Sequence, residues 1–259
     1  MKISVITPSY NQASFLERTL ESVHSQRGDF QLEHLVLDGG SKDGSVEILE
    51  RWKDKLWYVS EKDRGQSHAL NKGFAMARGD VLGWLNADDA YAPDAVAAAV
   101  AALQDVGIVY ADVTRVNDDG VNPRRIRSRP VWDLWTELND GNGIYSPAVF
   151  FTRAAYEAVG PLDEELHFTM DYDLWLRIGK RFGARHVDAV WGVQRLHDGA
   201  KSIRHYEEFW PERLAVSRRH GGRLVSPLTI RRYVRSPRAR RAVGRAVSAA
   251  YALAGKRPG

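Results

Sequence analysis

The chain of 259 residues contains no cysteine, which excludes disulfides, thiolate zinc sites and cysteine nucleophiles. It has no uninterrupted apolar run of about 18 residues, so no membrane-spanning helix is expected. The first residues, MKISVITPSY, lack the basic start, apolar stretch and small-residue cleavage site of a signal peptide. These absences suit a reducing, cytoplasmic setting. Acidic residues are scarce in one region only. From Pro211 to Gly259 there are 13 Lys and Arg against one acid, Glu212, while the other 210 residues carry 24 basic and 32 acidic side chains. An acidic body with a basic tail suggests two jobs.

What is present fits a folded domain: 44% hydrophobic and 10% aromatic residues, enough for one large α/β unit with an appendage. Residues 2–7 (KISVIT) read as a buried strand, and Ser14 to Gln26 show helical apolar spacing at Phe15, Leu20 and Val23. Further strands are predicted at Glu33–Leu37, Trp57–Ser60 and Asp80–Leu85, each followed by a polar turn and a helix. Ser45 is expected to cap the second helix. The remainder predicts strands at Ile108–Val116 and Ser146–Thr152, a helix to Val159, and an amphipathic helix at Asp171–Arg181.

Strands alternating with helices imply a parallel sheet, and ligands of such sheets bind beyond the carboxyl ends of the strands. Asp38, Asp63, Asp88 and Asp89 all follow predicted strands. Magnesium and manganese favour carboxylate oxygens together with substrate phosphates, and a departing pyrophosphate needs its charge neutralised. Read alone, Asp88 and Asp89 suit a capped turn before a helix better than a metal site.

Five segments occur in order: VITPSYNQASFLERTLESVHSQ, LDGGSKDGS, DRGQSHALNKGF, ARGDVLGWLNADDAYAPDAV and FTMDYDLWLRI. Together they resemble glycosyltransferase family 2 over roughly residues 2–200. The resemblance implies a GT-A fold, that is, a Rossmann-like α/β domain with a mixed, mostly parallel sheet flanked by helices. It divides the chain into a catalytic domain at 1–210 and a basic helical extension at 211–259. The nucleotide-sugar half would lie at about 1–115 and the acceptor half at about 116–210.

The same resemblance implies an inverting transfer from a nucleotide-diphosphate sugar to a hydroxyl of a sugar, glycolipid or other acceptor, with Mg2+ or Mn2+ as cofactor. Pro8 and Tyr10 match the turn that holds the base. Asp38 matches the acid on base or ribose, and Asp63 and Asn71 belong to a segment lining the donor pocket. Residues 86–89 stand where the family has its Asp-x-Asp metal motif, but the first position here is Asn86. Asp88 or Asp89 would be the main ligand, the other bonding the ribose, and His197 would help hold metal or diphosphate. Asp171 matches the general base, with Met170 where a glutamate is often found. An acceptor hydroxyl is a poor nucleophile, and a carboxylate within hydrogen-bond reach can remove its proton as attack proceeds. Asp173 is expected to support the helix instead. Trp132, Trp135, Trp175 and Trp191 are core candidates, one or two of them able to stack on an acceptor.

Two rival readings stay open: a nucleotidyltransferase, and a non-catalytic nucleotide-sugar-binding protein. The first lacks a Gly-rich, Lys- or Arg-containing phosphate loop after the first strand, since that turn is Pro8-Ser9-Tyr10-Asn11-Gln12. Asn86 and Met170 lend the second some support. The arginines of 230–257 are expected to lie on an anionic membrane surface, on its inner face, or else to pack as a solvated helix. They lack the interleaved aromatics of a nucleic-acid platform, so no nucleic-acid partner is expected.

Overall fold

The computed structural model describes residues 1–197 and 206–230. Four strands, β1 (Lys2–Ser9), β2 (Gln31–Asp38), β3 (Trp57–Ser60) and β4 (Val81–Trp84), lie parallel in the order β3-β2-β1-β4. Helices α1 (Ala13–His24), α2 (Ser45–Trp52) and α3 (Gln66–Met76) connect them. Strand β1 is covered on both faces, with Ile3, Ser4, Val5, Ile6 and Thr7 fully buried, as expected of a parallel strand inside a doubly layered fold.

The sheet continues through β5 (Ala90–Tyr91), β6 (Ile108–Val116), β7 (Arg124–Ile126), β8 (Val149–Thr152) and β9 (Ala184–Arg195), with helices α4 (Ala95–Ala102), α5 (Leu134–Asn139), α6 (Arg153–Val159), α7 (Met170–Phe182) and α8 (Tyr206–Arg219) around it. The nine strands of the described residues form one mixed sheet, β4 passing to antiparallel β8, then β6, β9 and β5, with β7 pairing β6. Alternation along β6 feeds both faces: Ile108 and Tyr110 join the core beneath α3, α6 and α7, whereas Val109, Ala111 and Val113 join the core beneath α4. No helix among the described residues is long and apolar enough to cross a membrane.

Two local expectations are corrected. Ser45 is the first residue of α2 and not its cap; Gly44, at φ 99°, precedes it without a side-chain bond. Asp43 performs the capping chemistry, accepting from Ser45 N (3.1 Å), Ser45 Oγ (2.6 Å) and Ala13 N at the start of α1 (2.9 Å). Residues Ser146–Ala148 form a 3-10 turn, and the strand begins only at Val149. Pro147, lacking an N–H, suits that turn better than a sheet interior. The expected division between 210 and 211 falls inside α8, whose Val216 is fully buried and whose Ser217 Oγ donates to Leu138 O at 2.8 Å. Of the segment expected to meet a membrane, all but Ile230 lies outside the described residues.

Candidate active site

The carboxyl ends of β1 to β4 point the same way, and strand order reverses between β1 and β4, where such sheets open a crevice. Pro8 belongs to this end for a physical reason. Lys2 O and Ile6 O accept from Asp80 N and Leu85 N on the β4 side, whereas Ser9 O accepts from Gly39 N on the β2 side. The missing Pro8 N–H would face β4, which has already ended at Trp84, so no ladder bond is lost.

Beyond Pro8, Tyr10 is 62% exposed and Asn11 adopts φ 52°. Asn11 N donates to Ser41 Oγ at 2.7 Å and its Oδ1 accepts from Lys42 N at 3.0 Å, pinning the first loop to the second. Asp38 is only 2% exposed. Its Oδ2 accepts from Gly40 N (3.1 Å), Ser41 N (2.9 Å) and Ser60 Oγ (2.6 Å), and its Oδ1 from Ser41 Oγ (2.5 Å). Only Oδ1 retains capacity for another donor. A Cβ at Gly39 would lie 3.0 Å from Asp63 Oδ2 and 3.2 Å from Tyr10 Cδ2. Glycine there lets Tyr10, the Asp38 backbone and Asp63 converge; Asp63 Oδ1 meanwhile accepts from Gly65 N at 2.8 Å.

Asn86 closes the row. Its Oδ1 accepts from Trp84 Nε1 and from Gln66 Nε2, both at 2.8 Å, which ties the fourth loop to the start of α3. Asp88 Oδ2 lies 3.0 Å from His197 Nε2, and the imidazole packs on Phe15 with ring centroids 4.7 Å apart. The hydrogen bond to Asp88 raises the His197 pKa above its ordinary value. Asp89 faces inward, 6% exposed, its Oδ1 accepting from Arg195 N at 3.1 Å. Burial, and then the charge of Asp88, push its carboxyl well above the ordinary range. Among the described residues, no three His, Asp or Glu side chains gather into a metal site of their own.

Asp171 stands at the first turn of α7, where the helix dipole favours an anion. Ser146 Oγ donates to its Oδ2 at 2.8 Å, and Tyr172 N to its Oδ1 at 2.7 Å. Burial pushes this carboxyl up, against those two hydrogen bonds and the charge of Arg213. A chain of contacts connects it with the loops that follow β1 to β4. Asp89 leads directly into β5, whose Ala90 and Tyr91 pair with Val193 and Gly192 of β9. A Cβ at Gly192 would lie 2.5 Å from Pro147 O, so β9 runs flush against the turn carrying Ser146.

Not every expected residue joins this group. Asn71 turns toward the loop after α6, its Nδ2 donating to Leu162 O (3.0 Å) and its Oδ1 accepting from Leu162 N (2.9 Å). Asp173 bonds Arg177 Nε at 2.8 Å and His220 Nε2 at 2.9 Å, the supporting position expected of it. Trp175 and Trp191 are buried in the core, whereas Trp135 is 48% exposed. Two residues of α8 escaped the sequence reading. Glu212 accepts from the backbone N–H groups of His167, Phe168 and Thr169 at 2.7–2.8 Å, and Arg213 packs over Tyr172. Glu212 did leave a signal, as the lone acid of a basic tail.

A mixed sheet with its polar loops gathered at one end is the architecture of GT-A nucleotide-sugar transferases. Structures sharing it include the S. aureus TarS fragment 1–349 in complex with UDP-GlcNAc, at TM-score 0.65 and 20% identity over 84% of this chain and 66% of that one. Mannosyltransferase PcManGT from Pyrobaculum calidifontis, in complex with GDP-Man and Mn2+, superimposes at TM-score 0.59 and 21% identity over 97% and 80%.

The chain belongs to glycosyltransferase family 2: the description Glycosyl transferase family 2 matches residues 4–157. An uncharacterized glycosyltransferase of Mycobacterium tuberculosis (strain H37Rv) is 35% identical over 177 residues, 68% of each chain. One from Rickettsia typhi is 26% identical over 228 residues, 80% of this chain and 70% of its own. The chain spans 38% of a longer TarS chain. The family match ends before Asp171 and His197.

Proposed function

We propose that the protein is an inverting glycosyltransferase that moves a sugar from a nucleotide-diphosphate donor to an acceptor hydroxyl in the synthesis of a cell-surface polysaccharide or glycolipid. The observation that carries this reading is Asp171, a carboxylate raised by burial and joined through β9 and β5 to the loops that would hold the donor. A base is most effective with a pKa near the working pH, and burial moves a carboxyl that way. Asp171 would take the hydroxyl proton as the acceptor oxygen bonds to the anomeric carbon. The carbon–oxygen bond to the diphosphate breaks, and its electron pair leaves with the phosphate. One displacement inverts the centre.

Tyr10, Asp63 and the free capacity of Asp38 Oδ1 suit the base and ribose. Asp88 and His197 supply one carboxylate and one imidazole, a donor set that fits a cation completing its shell with diphosphate oxygens and water. Mg2+ or Mn2+ there would neutralise charge on the departing diphosphate. Asp89 fits that shell less well, because burial and the neighbouring charge of Asp88 disfavour its ionised form.

UDP-GlcNAc and GDP-mannose, donors bound by the two structural relatives, are the first to test. Thermal melts of the full chain with each, with and without Mn2+, should show stabilisation by one donor that grows with the cation and shrinks in D88A. Absence of stabilisation and of nucleoside-diphosphate release with every UDP- and GDP-sugar tried would remove the reading.

A further inference from the structure

Arg213 is 8% exposed, and its guanidinium lies 5.0 Å from the Tyr172 ring, 5.7 Å from Phe209 and 6.0 Å from Trp210. Its Nε is buried without a hydrogen-bond partner among the described residues. Enclosing a cation without a bonded counter-charge is costly, so a negative centre nearby must make it tolerable. Burial works against the Arg213 charge, and Tyr172, Asp171, Glu137 and Tyr145, in that order, favour the charged form.

These groups are not equivalent. Glu137 of α5 is already bonded to Arg129 Nε at 2.7 Å and Gly143 N at 3.1 Å. Asp173, on the same helix as Asp171, is engaged by Arg177 and His220. Asp171 receives a hydroxyl from the Ser146 turn and an N–H from its own helix, both uncharged donors. Arg213 is the cation that offsets its burial. Position is fixed by the preceding residue: Glu212 clamps residues 167–169, immediately before the turn that presents Asp171.

Resting on the reading of Asp171 as base, we propose that Arg213 is its positioning residue: a cation held in an aromatic cage keeps the enclosed carboxylate ionised, which makes the first helix of the basic tail part of the catalytic centre. Arginine suits this task better than lysine, because it stays charged when enclosed and stacks on aromatic faces.

The titration that tests this needs no identified substrate. In the full chain labelled with 13C at aspartate carboxyls, the Asp171 resonance is the one missing from D171N. Its titration midpoint should rise by about one pH unit, a tenfold weaker acid, in both R213M and R213Q. Both replacements retain the length that fills the cage, and circular dichroism verifies folding. An unmoved midpoint in both variants would overturn the proposal, as would a shift in R213M alone, which would reflect packing and not charge. Wild-type turnover by D171N would remove the base itself, and with it this role for Arg213, whatever the titration shows.

Discussion

The loops after β1 to β4 hold one another: Asn11 grips Ser41 and Lys42, Asp38 grips Ser60, and Gln66 grips Asn86. Each bond joins neighbours at one end of a parallel sheet, so the side proposed to hold the donor is assembled by topology. Asp171 is held by parts from distant places, namely a 3-10 turn at 146, a helix start at 170 and a helix after residue 205. The contrast suggests that donor binding and proton removal should fail separately. Variants can test this.

The largest effect is expected from D171N. Transfer should fall by about 10²- to 10⁴-fold while donor-dependent thermal stabilisation persists; parallel loss of both would mean that the two sides are not separable. G192A comes next. Its methyl would meet Pro147 O at 2.5 Å and Pro147 C at 2.8 Å, backbone atoms that cannot swing aside. Displacing the Ser146 turn should cost about 10²-fold in transfer with donor binding retained, by steady-state kinetics.

E212A should act mainly on stability. Stripping their acceptor from three backbone N–H groups is expected to cost about 2–3 kcal/mol, read as a melting temperature lower by on the order of 5 °C. Preserved melting in E212A would show that α8 is not a brace. The smallest effect concerns pH. Because Asp88 raises the His197 pKa above 6.5, that pair stabilises the fold fully below the ordinary value and progressively less as pH climbs through the higher folded one. The melting gap between wild type and H197Q, on the order of 2 °C at pH 6, should therefore narrow by pH 8.5; a gap that widens with pH would reverse the assignment.

The same contrast explains what could be read in advance. Buried parallel strands are short β-branched runs ending in polar turns, and β3 and β6 lie where their residues imply. β9 hid because ARHVDAVWGVQR mixes His186, Asp188, Gly192 and Gln194 into a half-covered strand that bulges near Asp112. β5 and β7 have two and three residues, too few for any period to register. Asp63 and Asp171 were legible as acids after a strand and at a helix start. Arg213 was not, since an arginine among arginines carries no mark of burial until α8 is seen against Tyr172. Asn71 shows what a sequence leaves open, because an amide beside a loop reads the same whether or not it also bonds the chain, as it does here at Leu162.

Continuity of α8 across the charge boundary has a practical consequence. A designer guided by composition would cut after residue 210, or graft another protein's front portion onto this tail there. Either operation would sever a helix whose Glu212 clamps residues 167–169 at the start of α7, so a workable junction should be sought beyond His220, the last side chain of that segment to grip Asp173.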